Sequence, residues 1–241
     1  MDTNPRENVE VPYVEAEDTA PDPQLQNMRT KLQENVKLIG GIAAVVILAA
    51  GAWLFFRSQN EAKTNEGALA LSRIREYYDA GDYEKALKGD PSRKVRGQSI
   101  YGLERITRDY DGTETGNVAA LYAGNALLAQ RKADQAARYF DDADDSDSPL
   151  VQAGAIAGLA ATKEEKNDFK SAAELYEKAA SIGADIGLEE RYKYFAALAY
   201  EKANDKQKAE KIYREVVGQN EYSEFSGPAK SALIRLGTVI E

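Results

Sequence analysis

Residues 167–182 read NDFKSAAELYEKAASI. Within them Ala172, Tyr176 and Ala179 stand at i, i+4 and i+7, so all three lie on one face of a helix. The same spacing of a small residue, an aromatic and a small residue recurs at Ala136, Phe140 and Ala143, and at Ala209, Tyr213 and Val216. The offsets are 36 and 37 residues. A period of that length marks stacked helix pairs. A small side chain lets a neighbouring helix approach, and the aromatic fills the gap beside it. A polar turn precedes each triplet: Arg131-Lys132-Ala133, Asn167-Asp168-Phe169 and Asn204-Asp205-Lys206. Before each turn runs another helical stretch with Gly124, Ala160 or Ala197 at the close-approach position. No strand-like alternation of useful length is found from residue 57 onward, so an all-α helical repeat is expected over residues 58–241.

The pattern weakens outward from these three units. Gly81-Asp82-Tyr83-Glu84-Lys85-Ala86-Leu87 matches a turn and the start of a second helix. Its aromatic position holds Asp90, and Pro91 blocks helix continuation. An aborted repeat, an irregular loop near 88–95 and a helix from Val95 to Tyr110 are expected. Thr115 or Asn117 should cap the next helix, after the turn at Gly112. At the other end, Pro228 starts a closing helix with Ala229, Ala232, Leu233 and Leu236 inward and Lys230, Ser231 and Arg235 outward, as the last unit of a stack requires.

N-terminal to the repeats, residues 38–56 read LIGGIAAVVILAAGAWLFF, nineteen residues without a charge. At 1.5 Å per residue this helix is about 28 Å long, close to the thickness of a bilayer core. Trp53, Phe55 and Phe56 sit at one end, where aromatic rings favour the interface. Ala50-Gly51-Ala52 has the form of a signal-peptidase site, but the apolar run continues beyond it, and the 37 residues ahead of it are long for a signal peptide. An uncleaved transmembrane helix is the expectation. It sits in a segment 25–57 that also holds the helix-compatible Leu25, Met28, Leu32 and Val36. Residues 1–24 form an acidic tail with Pro5, Pro12, Pro21 and Pro23, expected to be disordered. Three basic residues just upstream of the run against two just downstream give only a slight bias to an N-terminus inside.

Composition narrows the function. The 241 residues carry 31 Lys plus Arg against 40 Asp plus Glu, a net −9, which disfavours nucleic acid. There is no His and no Cys, so His or Cys catalysis, His or Cys metal sites and disulfides are excluded. The acidic stretch Asp141, Asp142, Asp144, Asp145, Asp147 lacks the glycine turn and distal Glu of a calcium loop. Tyr110 to Asn117 is glycine-containing but lacks the Lys and preceding strand of a phosphate loop. The 14 tyrosines mostly stand at helix spacing and read as packing residues. No cofactor, no metal and no enzymatic activity are expected, and a binding or structural role is favoured.

A more specific resemblance rests on Ala86-Leu87-Lys88-Gly89-Asp90, Tyr110-Asp111-Gly112-Thr113, Thr115-Gly116-Asn117 and Leu121-Tyr122-Ala123-Gly124, in that order after an apolar anchor. Helix pairs of this period resemble the tetratricopeptide repeat. The ordered set is similar to the YfgM-like family of envelope tetratricopeptide proteins of Gram-negative bacteria. The resemblance implies an inner-membrane protein with its N-terminus in the cytoplasm and its repeats in the periplasm. It also implies a role assisting secreted or membrane proteins at the Sec translocon. The partners implied are translocon subunits, unfolded client chains or other envelope proteins. The alternative is a structural repeat subunit of a larger envelope or respiratory complex. First helices of stacked pairs line the inner face, which places Leu121, Asn125 and Leu128, then Ala157 and Ala161, then Arg191, Tyr194 and Leu198 in a protein-binding groove. Leu and Tyr would give sequence-tolerant apolar contact, and Asn125 and Arg191 would bond backbone or carboxylate.

Overall fold

The computed structural model describes residues 36–238, with side chains left undescribed at 36–44 and 52–63. The expectations for residues 1–35, tail and juxtamembrane segment alike, lie outside the described residues. The chain divides into two units, Met1–Phe56 and Arg57–Glu241. Helix α1 spans Val36–Asp79 and contains the run 38–56. Within that run side chains are described at 45–51 alone, and Val45, Ile47 and Leu48 are 65, 70 and 73% exposed. Among the described residues no helix is long and apolar enough to cross a membrane.

From residue 57 onward the fold is mostly helical. After α2 (Tyr83–Lys88) and a hairpin come α3 (Leu103–Asp109), α4 (Glu114–Ala129), α5 (Ala133–Asp144), α6 (Pro149–Glu165), α7 (Phe169–Ile182), α8 (Glu189–Lys202), α9 (Lys206–Gln219) and α10 (Ser226–Arg235). From α3 on, each helix packs on the next in chain order, and α4 also meets α6. The three triplets are buried, with Phe140 and Tyr213 fully so and Tyr176 6% exposed. A Cβ placed on Gly124 would lie 2.6 Å from the Phe140 ring, and one on Gly158 would overlap that ring as well. The ring therefore fills the space vacated by glycines on the preceding helix and the following one. Ala229, Ala232 and Leu233 of α10 are buried and close the stack.

Among the described residues one turn design joins the two helices of a pair at four places. Gly81, Arg131, Asn167 and Asn204 have φ of 74, 63, 60 and 62°. The next residue in each case sends its N–H back to the carbonyl five positions earlier, for instance Asp168 to Lys163 and Asp205 to Tyr200, both at 2.9 Å. This is a left-handed helix end of Schellman type. It leads directly into an N-cap: Asp82, Asp168 and Asp205 accept from the backbone N–H of Lys85, Ser171 and Lys208. At the second turn the cap position is Lys132, which makes no such bond.

Three local expectations need correction. Residues 89–101 are not an irregular loop running into a helix but an antiparallel hairpin, β1 (Gly89–Val95) and β2 (Gln98–Tyr101), so the fold is not purely α. Arg96 and Gly97, with φ of 51 and 80°, form a two-residue turn of the type that suits strand twist. Gly89 takes φ 88°, ψ 177°, a conformation open essentially to glycine alone. A Cβ there would sit 2.7 Å from the Gly102 nitrogen, so the hairpin ends pinch together on two glycines. Asp90 closes the corner, accepting from the Tyr77 hydroxyl at 2.6 Å and the Ser92 N–H at 3.0 Å. Secondly, helix α3 starts at Leu103, not Val95. Thirdly, the cap of α4 is Thr113, accepting from the Gly116 N–H at 3.2 Å. Thr115 instead donates to the Thr64 carbonyl of α1.

Three substitutions test the packing and the turns. Tyr176→Ala should destabilise by about 3 kcal/mol, because it empties an inter-helix site, whereas exposed Glu174→Ala should stay within about 0.5 kcal/mol. Lys132→Asp should add the missing cap and raise stability by about 0.5–1 kcal/mol. Urea unfolding reads all three.

Candidate functional site

The eight residues expected to line a groove fall on three first helices of the stack, α4, α6 and α8. Arg191 is exposed and the other seven are half-buried, so each retains surface. Leu121 reaches α6, its methyl 3.3 Å from where a Cβ of Gly154 would stand. Leu121 and Leu128 pack against the N-terminal part of the core, and Ala157, Tyr194 and Leu198 against the C-terminal part. Ala157 and Ala161 lie one turn apart on α6, which falls between α4 and α8 in chain order.

The polar members are already engaged. Arg191 lies 3.5 Å from Glu224 and its guanidinium stands 5.9 Å from the Phe225 ring centre. Tyr194 packs on Tyr213 at 5.9 Å and on Phe225 at 5.6 Å between ring centres. The segment leading into α10 therefore covers this part of α8. Asn125 stands beside the Tyr78 hydroxyl and opposes the rise of that phenol's pKa, which burial drives and Tyr83, Tyr122 and Asp79 reinforce. The remaining open apolar surface comes from Leu121, Leu128, Ala157, Ala161 and Leu198.

A charged ladder that spacing alone did not flag runs along the turn ends of the same helices. Glu164 accepts from the Tyr176 hydroxyl at 3.0 Å and from Lys202 at 2.8 Å. One unit later Glu201 accepts from the Tyr213 hydroxyl at 3.1 Å and from Arg235 at 2.8 Å. Each carboxylate thus ties the second helix of its own pair to the first helix of the next. Arg131 adds a bond to Glu165 at 2.8 Å. Arg235, with help from Tyr213, holds the Glu201 carboxyl below its ordinary range although burial opposes this. The Tyr213 and Tyr176 phenols are pushed up, mainly by burial and then by the facing carboxylates. The signal in the sequence was the twelve-residue separation of Glu and Tyr, repeated at 164/176 and 201/213.

Elsewhere, a cavity of about 430 Å³ lies between α7, α8 and α9. Its Lys193 is held by Glu189 at 2.9 Å and Glu215 at 3.1 Å. In the acidic stretch Asp144 pairs with Lys178 at 3.5 Å. Burial and the neighbouring Asp111, Asp141 and Asp145 raise the Asp142 carboxyl. The chain matches no family model and no curated protein.

Because Glu201 has a lower pKa folded than unfolded, its stabilising contribution is present above about pH 4.3, the unfolded value. It is lost as pH falls through the lower folded value. Arg235→Gln should therefore lower the melting temperature at pH 7. The gap to the parent should close as pH drops below 4, a trend followed by calorimetry.

Proposed function

We propose that this chain is a membrane-anchored protein of tetratricopeptide type whose repeat face holds other polypeptides. The apolar run 38–56 is its single membrane helix. Its N-terminus lies in the cytoplasm and residues 58–241 lie in the periplasm of a bacterial inner membrane, beside the Sec translocon. The resemblance to the YfgM-like family supplies the location and the translocon. The observation that carries the binding role is the half-exposed, uncharged surface of Leu121, Leu128, Ala157, Ala161 and Leu198 on three successive first helices. Aliphatic contacts without directed polar groups suit weak capture of many sequences better than recognition of one folded epitope. The anchor is supported by the nineteen uncharged residues and by Val45, Val46, Ile47 and Leu48, all at least 60% exposed.

A second reading, a fixed structural subunit of a larger envelope complex, is favoured by the internal engagement of Arg191, Tyr194 and Asn125. Tyr222 and Ile234, 94 and 68% exposed near the last helix, also favour it. A photo-crosslinking residue at Ala161, with another at exposed Glu174 of α7, separates the two in secreting cells. The binding role predicts adducts to translocating chains or translocon subunits from Ala161 alone. Equal labelling at both positions, or none at Ala161, contradicts it. One constant partner outside the translocon in every adduct from Ala161 establishes the subunit role instead.

A further inference from the structure

We infer that the free edge of β2 is a strand-addition site for an extended, acidic polypeptide segment. The hairpin stands where the other units have the bulk of a second helix, and it is firmly specified by the Gly89–Gly102 pinch, the Arg96-Gly97 turn and the Asp90 corner. Its sheet has two strands only. Apart from the ladder with β1, no backbone group of Gln98–Tyr101 bonds to another backbone group among the described residues. Unpaired edges of this kind template an added strand, whose main chain supplies affinity with little regard to sequence. The two edges are not equivalent. On β1 the register breaks between Asp90 and Lys94, and Pro91 offers no N–H, so that edge is interrupted. On β2 the register runs without a break.

Charge selects the occupant. Residues 88–108 hold six basic side chains against two acidic ones, inside a chain of net −9. Arg96 precedes β2 at the turn and Lys94 stands opposite Ser99, whereas Arg105, stacked 3.7 Å over the ring of Tyr101 at the far end, is held by Asp109 at 2.9 Å, so the hairpin's free cations gather at the turn end of the edge. Among the described residues Lys88, Lys94 and Arg96 make no ion pair, whereas Arg93 is held by Glu76 and both Arg105 and Arg108 by Asp109. A phosphate headgroup surface fits less well, since Glu76, Asp90 and Glu104 are interspersed with the cations. An extended chain can set its carboxylates between them. This site is separate from the face of the first helices and does not depend on it.

The test uses the full chain in detergent and a fluorescein-labelled peptide of alternating Glu and Val, read by anisotropy. Three comparisons accompany it: the Gln-Val counterpart, a Glu-Val peptide N-methylated at alternate residues, and phosphatidylglycerol vesicles. Binding of the Glu-Val peptide should weaken with salt, and about tenfold on changing Glu to Gln, on N-methylation, or in the double variant Lys94→Glu, Arg96→Glu. Lys211→Glu, a control remote from the hairpin, should leave it unchanged. Absent binding overturns the inference, as does equal binding of the Gln or N-methylated peptide, or equal loss in the control and the double variant. Vesicle binding that needs Lys94 and Arg96, without peptide binding, moves the patch to a membrane surface and overturns it too.

Discussion

An aromatic ring held between small residues of two other helices is the contact on which this stack depends. Phe140 shows it most plainly: α5 carries the ring, α4 supplies Gly124 and α6 supplies Gly158. A single side chain thereby fixes the distance between consecutive pairs. Burying such a ring stabilises by several kcal/mol when its surroundings are complementary, and any added methyl must push the ring out of its well. Tyr176 and Tyr213 stand at the equivalent places with alanines around them. They add a hydroxyl that Phe140 lacks, and it finds a carboxylate in both cases.

That ring sets spacing, and two further devices set direction. The left-handed turn residues at 81, 131, 167 and 204 reverse the chain tightly enough for the two helices of a pair to share the ring. The carboxylates Glu164 and Glu201 then connect forward to Lys202 and Arg235. Exposed ion pairs of this sort contribute little singly, but here each sits against a buried tyrosine, and together they orient one unit on the next.

The repeat core was legible in the sequence because its information is local. A triplet spaced four and three apart, repeated after 36 and 37 residues, needs no knowledge of distant partners. The hairpin was illegible for the opposite reason. Neither Gly89 nor Gly102 announces a strand; each matters through the other's backbone, and Asp90 matters through Tyr77 thirteen residues away. The candidate face was half legible. Helical spacing named Leu121, Leu128, Ala157, Ala161 and Leu198 as groove-facing, and in the structure each is half-buried. It offered Arg191 and Tyr194 to a ligand, because nothing in α8 itself shows that Phe225 and Glu224 come back over them. An isolated phenylalanine in the polar stretch 219–227 was the one available hint.

The most direct measurement is a double-mutant cycle between Gly158 and Phe140, followed by urea unfolding. If the ring occupies the space that glycine leaves, Gly158→Ala destabilises the parent by about 2–3 kcal/mol. In a Phe140→Leu background, where the clashing edge of the ring is gone, the same change should cost under about 1 kcal/mol. An equal effect in both backgrounds would mean that the two residues do not share that space, and the packing described for the whole stack would be wrong.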